Sequence, residues 1–153
     1  MTEVSRFLYV TYIRTTPEKL WEALTKPEFT RIYWHGVTHV TDWMPGSDWK
    51  LVFADGRVAD AGQILEAAPP HRLVIAWRNQ FRPELTVEGV SRCTIEIAPQ
   101  GEIVRLQVTH EIDADPSKFI EAVSGGWPAI LSNLKTLLET GAALPMEDGT
   151  PKS

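Results

Sequence analysis

The chain has 153 residues, a length that predicts one domain with enough buried surface for a single core. Its composition, with 43% hydrophobic and 23% charged residues, is typical of a globular protein and excludes general disorder. The formal net charge of −5 argues against a nucleic-acid partner, because binding to phosphates requires a basic surface.

The beginning of the chain predicts a strand followed by two short helices. Residues 7–15 are rich in aromatic and β-branched side chains, which are typical of a strand. The segment Thr16-Pro17-Glu18 supplies a hydroxyl N-cap, a proline at the first helical position and an acid in the first turn. A helix therefore begins there. Pro27 would break one long helix, so a second short helix is expected directly after it.

Turn signals divide the middle of the chain into six short strands. Asp55-Gly56 is favourable for a tight hairpin, because both residues tolerate positive φ. The runs are short and close together, which favours an antiparallel meander over parallel βαβ units. Residues 79–89 are predicted to form a longer polar loop. The strands are expected at 37–42, 49–53, 57–66, 72–78, 91–98 and 103–112.

The last part of the chain predicts an amphipathic helix. Asp115-Pro116 signals a helix start, and Gly125-Gly126 is expected to interrupt or kink that helix. Pro128 is then expected to restart a longer helix, whose apolar residues recur on one face. Gly141 is the predicted C-terminal stop.

The order of these elements predicts an α+β fold. A seven-stranded antiparallel sheet needs a cover over its apolar face. Among the predicted elements, the C-terminal helix is long enough to provide that cover. A bent sheet wrapped around one helix leaves space for the two short helices after strand 1 to fill, and this geometry favours a cavity. We expect a single domain over residues 1–144 and a flexible tail over residues 145–153.

His110 is the candidate catalytic residue. Alternation along the last strand places it on the same inward face as Leu106, Val108 and Ile112. The simpler interpretation is a buried histidine that is satisfied by one hydrogen bond. The alternative is a polar group in the cavity that orients a ligand or moves a proton.

The remaining polar residues predict neither a metal site nor a cofactor. His35 and His39 are four positions apart, but Gly36 and two β-branched residues between them indicate a loop that enters a strand. On a strand such a pair stands about 13 Å apart, too far for one metal. No phosphate loop, dinucleotide fingerprint or nucleophile motif is present. Most of four scattered aspartates are expected to be solvated: Asp42, Asp48, Asp55 and Asp60.

Location and assembly follow from what the sequence lacks. Cys93 is the single cysteine, so no internal disulfide and no oxidising compartment are needed. We see no signal peptide and no apolar segment long enough for membrane insertion, so a cytoplasmic location is expected. The sequence does not decide whether the protein forms a homodimer through an exposed edge strand.

Several segments resemble the SRPBCC (START/Bet v 1-like) superfamily and, within it, the "activator of Hsp90 ATPase homologue 1-like" group. These segments are Tyr9 to Thr25, Tyr33-Trp34, Gly62 to Glu66 with Pro69 to Leu73, Trp77, and Gly126 to Gly141. The resemblance implies the helix-grip fold, in a superfamily that includes lipid carriers, cyclases and hydrolase-like enzymes. The eukaryotic Hsp90 activator resembles this chain only in its C-terminal domain, so we do not expect a chaperone partner.

The preferred hypothesis is that the domain binds a small hydrophobic molecule, lipid-like or polyketide-like, between the sheet and the C-terminal helix. One alternative is an enzyme of cyclase or hydrolase type that uses the same cavity, with His110 as acid or base. A further alternative is a chaperone-interacting module. The residues expected to bind the ligand are Tyr33, Trp34, Trp77, Phe81, His110, Phe119, Trp127, Ile130, Leu131 and Leu134.

Overall fold

The computed structural model describes residues 4–145, so the predicted tail lies outside the described residues except for Pro145. The helices and strands follow the predicted order. They are β1 (Ser5–Ile13), α1 (Pro17–Thr25), α2 (Pro27–Tyr33), β2 (Thr38–Thr41), β3 (Asp48–Val52), β4 (Val58–Ala68), β5 (Arg72–Asn79), α3 (Pro83–Thr86), β6 (Ser91–Gln100), β7 (Ile103–Ile112) and α4 (Lys118–Thr140).

The strands form one seven-stranded sheet with the order β1-β7-β6-β5-β4-β3-β2. Every neighbouring pair is antiparallel, including β1 and β7, which are remote in sequence. The predicted α+β fold, with a long C-terminal helix and two short helices after the first strand, is confirmed. The strand boundaries differ from the predicted ones by a few residues at most.

Two predictions about helices are wrong. The expected restart of a separate helix at Pro128 is wrong, because α4 is continuous from Lys118 to Thr140 through Gly125-Gly126 and Pro128 lies inside it. Buried side chains on both sides of Pro128 hold the helix against the rest of the protein, which compensates for the hydrogen bond that proline removes. The loop at 79–89 contains the short helix α3, which Pro83 begins.

The N-terminus of α4 is fixed by a carboxylate from the loop after α3. The Ser117 hydroxyl caps the helix by accepting from the Ile120 N–H at 3.1 Å. The same hydroxyl donates to Glu88 at 2.6 Å. Glu88 also accepts from the backbone N–H groups of Lys118 and Phe119, at 2.8 and 3.2 Å. Desolvation opposes ionisation of Glu88, but these hydrogen bonds outweigh it and lower its pKa.

The core lies between the concave face of the sheet and α4. The predicted inward residues of β7 are all buried, including His110, and Cys93 is buried on β6. α4 packs mainly against β1 at one side of the sheet. Large aromatic side chains and the helices α1 and α2 cover the rest of this face. None of the helices formed by residues 4–145 is long and apolar enough to cross a membrane.

Gly62 on β4 allows two tryptophans to meet over the sheet. It pairs with Trp49 on β3 and with Trp77 on β5. The centroids of these two indole rings are 4.5 Å apart, so the rings close over the strand between them. A Cβ atom at position 62 would lie 1.6 Å from the Ala76 carbonyl oxygen, which is rigid backbone. The close approach of β4 and β5 therefore requires glycine at this position.

We expect Gly62→Ala to lower the free energy of unfolding by at least about 2 kcal/mol, because the added methyl group must push β4 away from β5. Gly125→Ala is the matched control. Gly125 is exposed within α4, and a Cβ atom there meets nothing within 4 Å. This second change should raise the free energy of unfolding by about 0.5–1 kcal/mol, since alanine favours a helix over glycine. Urea denaturation of the three proteins measures both effects, and equal stability of Gly62→Ala and the parent protein would contradict the packing argument.

Candidate functional site

A cavity of about 330 Å³ lies between the sheet and the N-terminal half of α4. Strands β3 to β5 form its floor, α4 forms one wall, and the end of α2 together with the loop before α3 forms the other. Its lining residues are Trp34, His35, Leu51, Asp60, Trp77, Asn79, Phe81, Arg82, Leu85, Phe119, Ala122, Val123, Gly126, Trp127 and Ile130. A ligand-sized space is therefore present at one end of the helix–sheet interface.

Three tryptophans from different elements build the aromatic wall of the cavity. The ring centroid of Trp34, at the end of α2, lies 5.1 Å from that of Trp127 on α4 and 6.3 Å from that of Trp77 on β5. Trp77 and Trp127 are 6.0 Å apart. Phe119 on α4 and Phe81 on the loop before α3 extend the apolar lining, and Phe81 is 45% exposed. The three indole rings contact one another, so the wall is rigid compared with isolated side chains.

Asp60 introduces an acidic group into this apolar cavity. It lies on the inner face of β4, between Leu51 on β3 and Asn79 on β5, and is 7% exposed. Burial raises the pKa of its carboxyl group to about 7, and a hydrogen bond from Trp77 only partly opposes this shift. Asp60 is therefore the exception among the four scattered aspartates, since Asp42, Asp48 and Asp55 are exposed as expected. A carboxyl group that titrates near neutral pH inside a cavity is typical of functional sites.

His35 faces the cavity from the segment between α2 and β2. Its φ of 50° lies in the left-handed region, which histidine adopts more readily than most residues. Its Nδ1 atom is buried and has no hydrogen-bond partner among residues 4–145, and burial lowers its pKa. Asn79 and Arg82 complete the polar lining. The Asn79 side chain accepts from the Arg82 N–H at 2.9 Å, while the Arg82 guanidinium is paired with Glu84 at 2.7 Å.

His39 does not share a site with His35. Its Nδ1 accepts from the Trp49 indole N–H at 3.0 Å, and its Nε2 lies 3.0 Å from the Leu24 carbonyl oxygen, to which it donates. Burial lowers the His39 pKa to about 4. Both ring nitrogens are engaged, so neither is free for a metal ion. In the part of the chain that the structure describes, no three His, Cys, Asp or Glu residues cluster as metal ligands.

His110 lies behind the cavity wall rather than on it. Its ring centroid is 5.2–5.9 Å from those of Trp77, Phe119 and Trp127, which separate it from the cavity. Its Nδ1 is 3.1 Å from the Ser91 hydroxyl, and that hydroxyl is also 3.2 Å from the Trp77 carbonyl oxygen. The Ser91 hydroxyl has one hydrogen, which it donates to the Trp77 carbonyl oxygen. The His110 Nδ1 must then carry a proton and donate it to the Ser91 oxygen. Nε2 then remains an acceptor without a partner among the residues that the structure describes, and burial lowers the His110 pKa to about 3.

The ten residues expected at the ligand site divide into two groups. Six line the cavity: Trp34, Trp77, Phe81, Phe119, Trp127 and Ile130. The other four, Tyr33, His110, Leu131 and Leu134, are buried in the surrounding core. The Tyr33 hydroxyl donates to the Ala23 carbonyl at 2.7 Å, and burial raises its pKa.

Sequence reasoning missed the polar residues of the cavity, above all Asp60. Asp60, Gly62 and Ile64 alternate along β4, and Ile64 is fully buried. The same period-two argument that placed His110 on an inner face would have placed Asp60 on the inner face of β4. No sequence pattern of this kind could have placed His35 at the cavity, because its position there depends on the left-handed backbone turn after α2.

Comparison with known proteins identifies the family. A family model described as "Activator of Hsp90 ATPase homolog 1-like protein" matches residues 14–139. The chain belongs to this family. The resemblance predicted from the sequence is thereby confirmed. No curated protein is significantly similar to the chain in sequence.

Solved structures of similar fold include members with different descriptions. The Aha1 dimer from Colwellia psychrerythraea is 17% identical with a TM-score of 0.72, and the match covers 90% of this chain and 98% of that one. An HSP90 activator from Plasmodium falciparum is 22% identical with a TM-score of 0.68, covering 88% and 96%. DynU16, a putative protein in the dynemicin biosynthetic locus, is 18% identical with a TM-score of 0.72, covering 90% and 48%. These similarities establish the shared fold.

The raised pKa of Asp60 predicts a measurable pH dependence in this family member. The folded protein holds the Asp60 proton up to a pH of about 7, whereas an unfolded aspartate releases it near 3.8. The stability of the parent protein relative to Asp60→Asn should therefore be greatest at acidic pH and fall as the pH rises to 7. The expected slope approaches 1.4 kcal/mol per pH unit, about the maximum for one proton.

Denaturation of both proteins at a series of pH values measures this difference. The contributions of His35, His39 and His110 are present in both proteins and cancel. A stability difference that does not change between acidic and neutral pH would show that the Asp60 carboxyl group titrates normally.

Proposed function

We propose that this protein binds a small, largely apolar molecule in the cavity between the sheet and α4. The observation that carries the proposal is the partly open cavity of about 330 Å³, which is lined by Trp34, Trp77, Trp127 and Phe119. Ligand pockets typically measure about 300–1,000 Å³ and combine apolar walls with a few polar groups, a description that this cavity meets.

The volume supports a compact ligand. It lies at the small end of the usual range, so a fused-ring or polyketide-like fragment suits it better than an extended lipid chain. The core beneath the C-terminal half of α4 is filled by Leu131 and Leu134, both fully buried. The ligand therefore occupies only the end of the interface near Phe119 and Trp127.

The proteins of similar fold give less direct support to two other functions. The membership of DynU16 in a biosynthetic locus is compatible with a small-molecule function, including an enzyme of cyclase or hydrolase type. In such an enzyme Asp60 would be the group next to the substrate, since His110 lies behind the wall. The family description and the HSP90 activator from Plasmodium falciparum favour a chaperone-interacting function as a second candidate. An Hsp90 ATPase assay with added protein tests that candidate separately.

Adjacent glycines on α4 provide a matched test of ligand binding. Gly126 lines the cavity and a Cβ atom there meets nothing within 4 Å, whereas Gly125 is exposed. Gly126→Leu should fill part of the cavity and weaken binding of a neutral bicyclic probe, naphthylmethanol, at least about tenfold. Gly125→Leu should bind the probe as the parent protein does. Both changes replace glycine with a better helix former, so both variants should fold.

Titration of the probe followed by NMR chemical shifts of the tryptophan indole N–H groups measures the affinity. Shifts confined to Trp34, Trp77 and Trp127 would support the proposed cavity. Equal affinities of the two leucine variants, or no binding to the parent protein, would overturn the proposal.

A further inference from the structure

The one acidic group among the described residues that line the cavity shares this space with several aromatic rings, an arrangement suited to a cation. We propose that the cavity selects ligands with a protonated amine on an aromatic or otherwise apolar body, with the Asp60 carboxylate as the partner of the ammonium group. This inference rests on the proposed function and specifies its ligand class.

The first argument is that Asp60 is buried without a cationic partner. The ion pairs formed by residues 4–145 do not include it. Its neighbours across the sheet are Leu51 and Asn79, neither of which carries a charge. Burying a carboxylate in such surroundings is costly unless a cation or several hydrogen bonds compensate for the lost water. A bound ammonium group would supply both the opposite charge and hydrogen-bond donors.

The second argument is that the walls of the cavity also favour a cation. The faces of aromatic rings carry partial negative charge and attract ammonium groups, most strongly in the case of tryptophan. Trp34, Trp77 and Trp127 come from three different elements and line the same space as Asp60. The apolar body of an amine would pack against the rings while its charged end reaches the carboxylate.

The other lining groups do not favour an anion. Arg82 lies at the exposed edge of the cavity, and its guanidinium already pairs with Glu84 at 2.7 Å. His35 lines the cavity, but burial lowers its pKa, so it is neutral at physiological pH. An anionic ligand would meet the Asp60 carboxylate without a free compensating cation.

The charge of the site should change between mildly acidic and mildly alkaline pH through Asp60. The titratable or charged groups that share the cavity with it are His35 from the segment after α2 and Arg82 from the loop before α3, and the nearby core holds Cys93 on β6, whose pKa the Asp60 charge affects. Burial lowers the pKa of His35 and so disfavours its charged form, the Arg82 guanidinium is already paired with Glu84, and burial together with the Asp60 charge raises the pKa of Cys93 so that it remains a thiol. The lining residues that α4 contributes carry no charge. Asp60, with a pKa of about 7, is therefore the group whose charge changes around neutral pH, and the comparison with Asp60→Asn isolates its contribution.

The experiment compares naphthylmethylamine, naphthylmethanol and naphthoate, which share one ring system and differ in charge. At about pH 8 the amine should bind the parent protein at least about tenfold more tightly than the alcohol, and naphthoate should bind most weakly. Lowering the pH to about 6 should weaken amine binding about tenfold, because most of the Asp60 carboxyl groups are then protonated. The affinity for the alcohol should not follow this pH dependence.

Asp60→Asn is the decisive variant, since it keeps the shape of the side chain and removes its charge. It should lose the preference for the amine over naphthylmethanol and the pH dependence of amine binding, and the dispersed NMR signals of the tryptophan indole N–H groups should show that the variant is folded. Calorimetry of the parent protein near neutral pH, in buffers of different ionisation enthalpy, should detect protons released as the amine binds.

The possible results separate the two proposals. If the parent protein binds the amine and the alcohol equally, or if Asp60→Asn keeps the amine preference, the amine inference is wrong and the cavity proposal stands. If naphthoate binds most tightly, the charge preference is the reverse of the one inferred here. If none of the three probes binds, the proposed function itself fails.

Discussion

A single helix cannot cover a seven-stranded sheet, and the rest of the structure follows from this mismatch. Six inter-strand spacings make the sheet about 29 Å wide, whereas a helix with its side chains is about 10–12 Å across. α4 packs mainly against β1, so the face formed by β3 to β5 needs other cover. Tryptophan is the largest side chain available, and Trp34, Trp49, Trp77 and Trp127 fill most of this gap. The cavity lies where their rings end.

The space that this mismatch leaves holds two of the costly polar groups, Asp60 and His35. Asp60 and His35 have few hydrogen-bond partners at the cavity, whereas the polar groups of the solid core are mostly satisfied. The Tyr33 hydroxyl donates to a backbone carbonyl, and His39 uses both ring nitrogens. A protein selected for stability alone would pair or replace a buried carboxylate such as Asp60. Its position within aromatic walls is more consistent with a binding role.

The two sides of the cavity are tied together at the start of α4. Glu88 follows α3, whose neighbouring loop contributes Phe81 to the lining, and its carboxylate accepts from the first N–H groups of α4. A carboxylate at this position also interacts favourably with the positive end of the helix dipole. Phe119, one of the residues whose N–H binds Glu88, carries a ring of the cavity wall. The mouth of the cavity is thus held by hydrogen bonds, while its interior is held by ring packing.

The sequence by itself determined the order of the elements, the antiparallel sheet and the inward faces of β6 and β7, because caps, turns and period-two alternation are local signals. It also predicted six of the lining residues, since large aromatic side chains were expected near the helix. Only the tertiary structure decided that α4 continues through Gly125-Gly126, that His110 lies behind three rings, and that Asp60 is buried in the cavity. These outcomes depend on how far α4 stands from each strand of a curved sheet. That distance is set by contacts between residues that are remote in sequence. Local sequence patterns contain no information about such contacts.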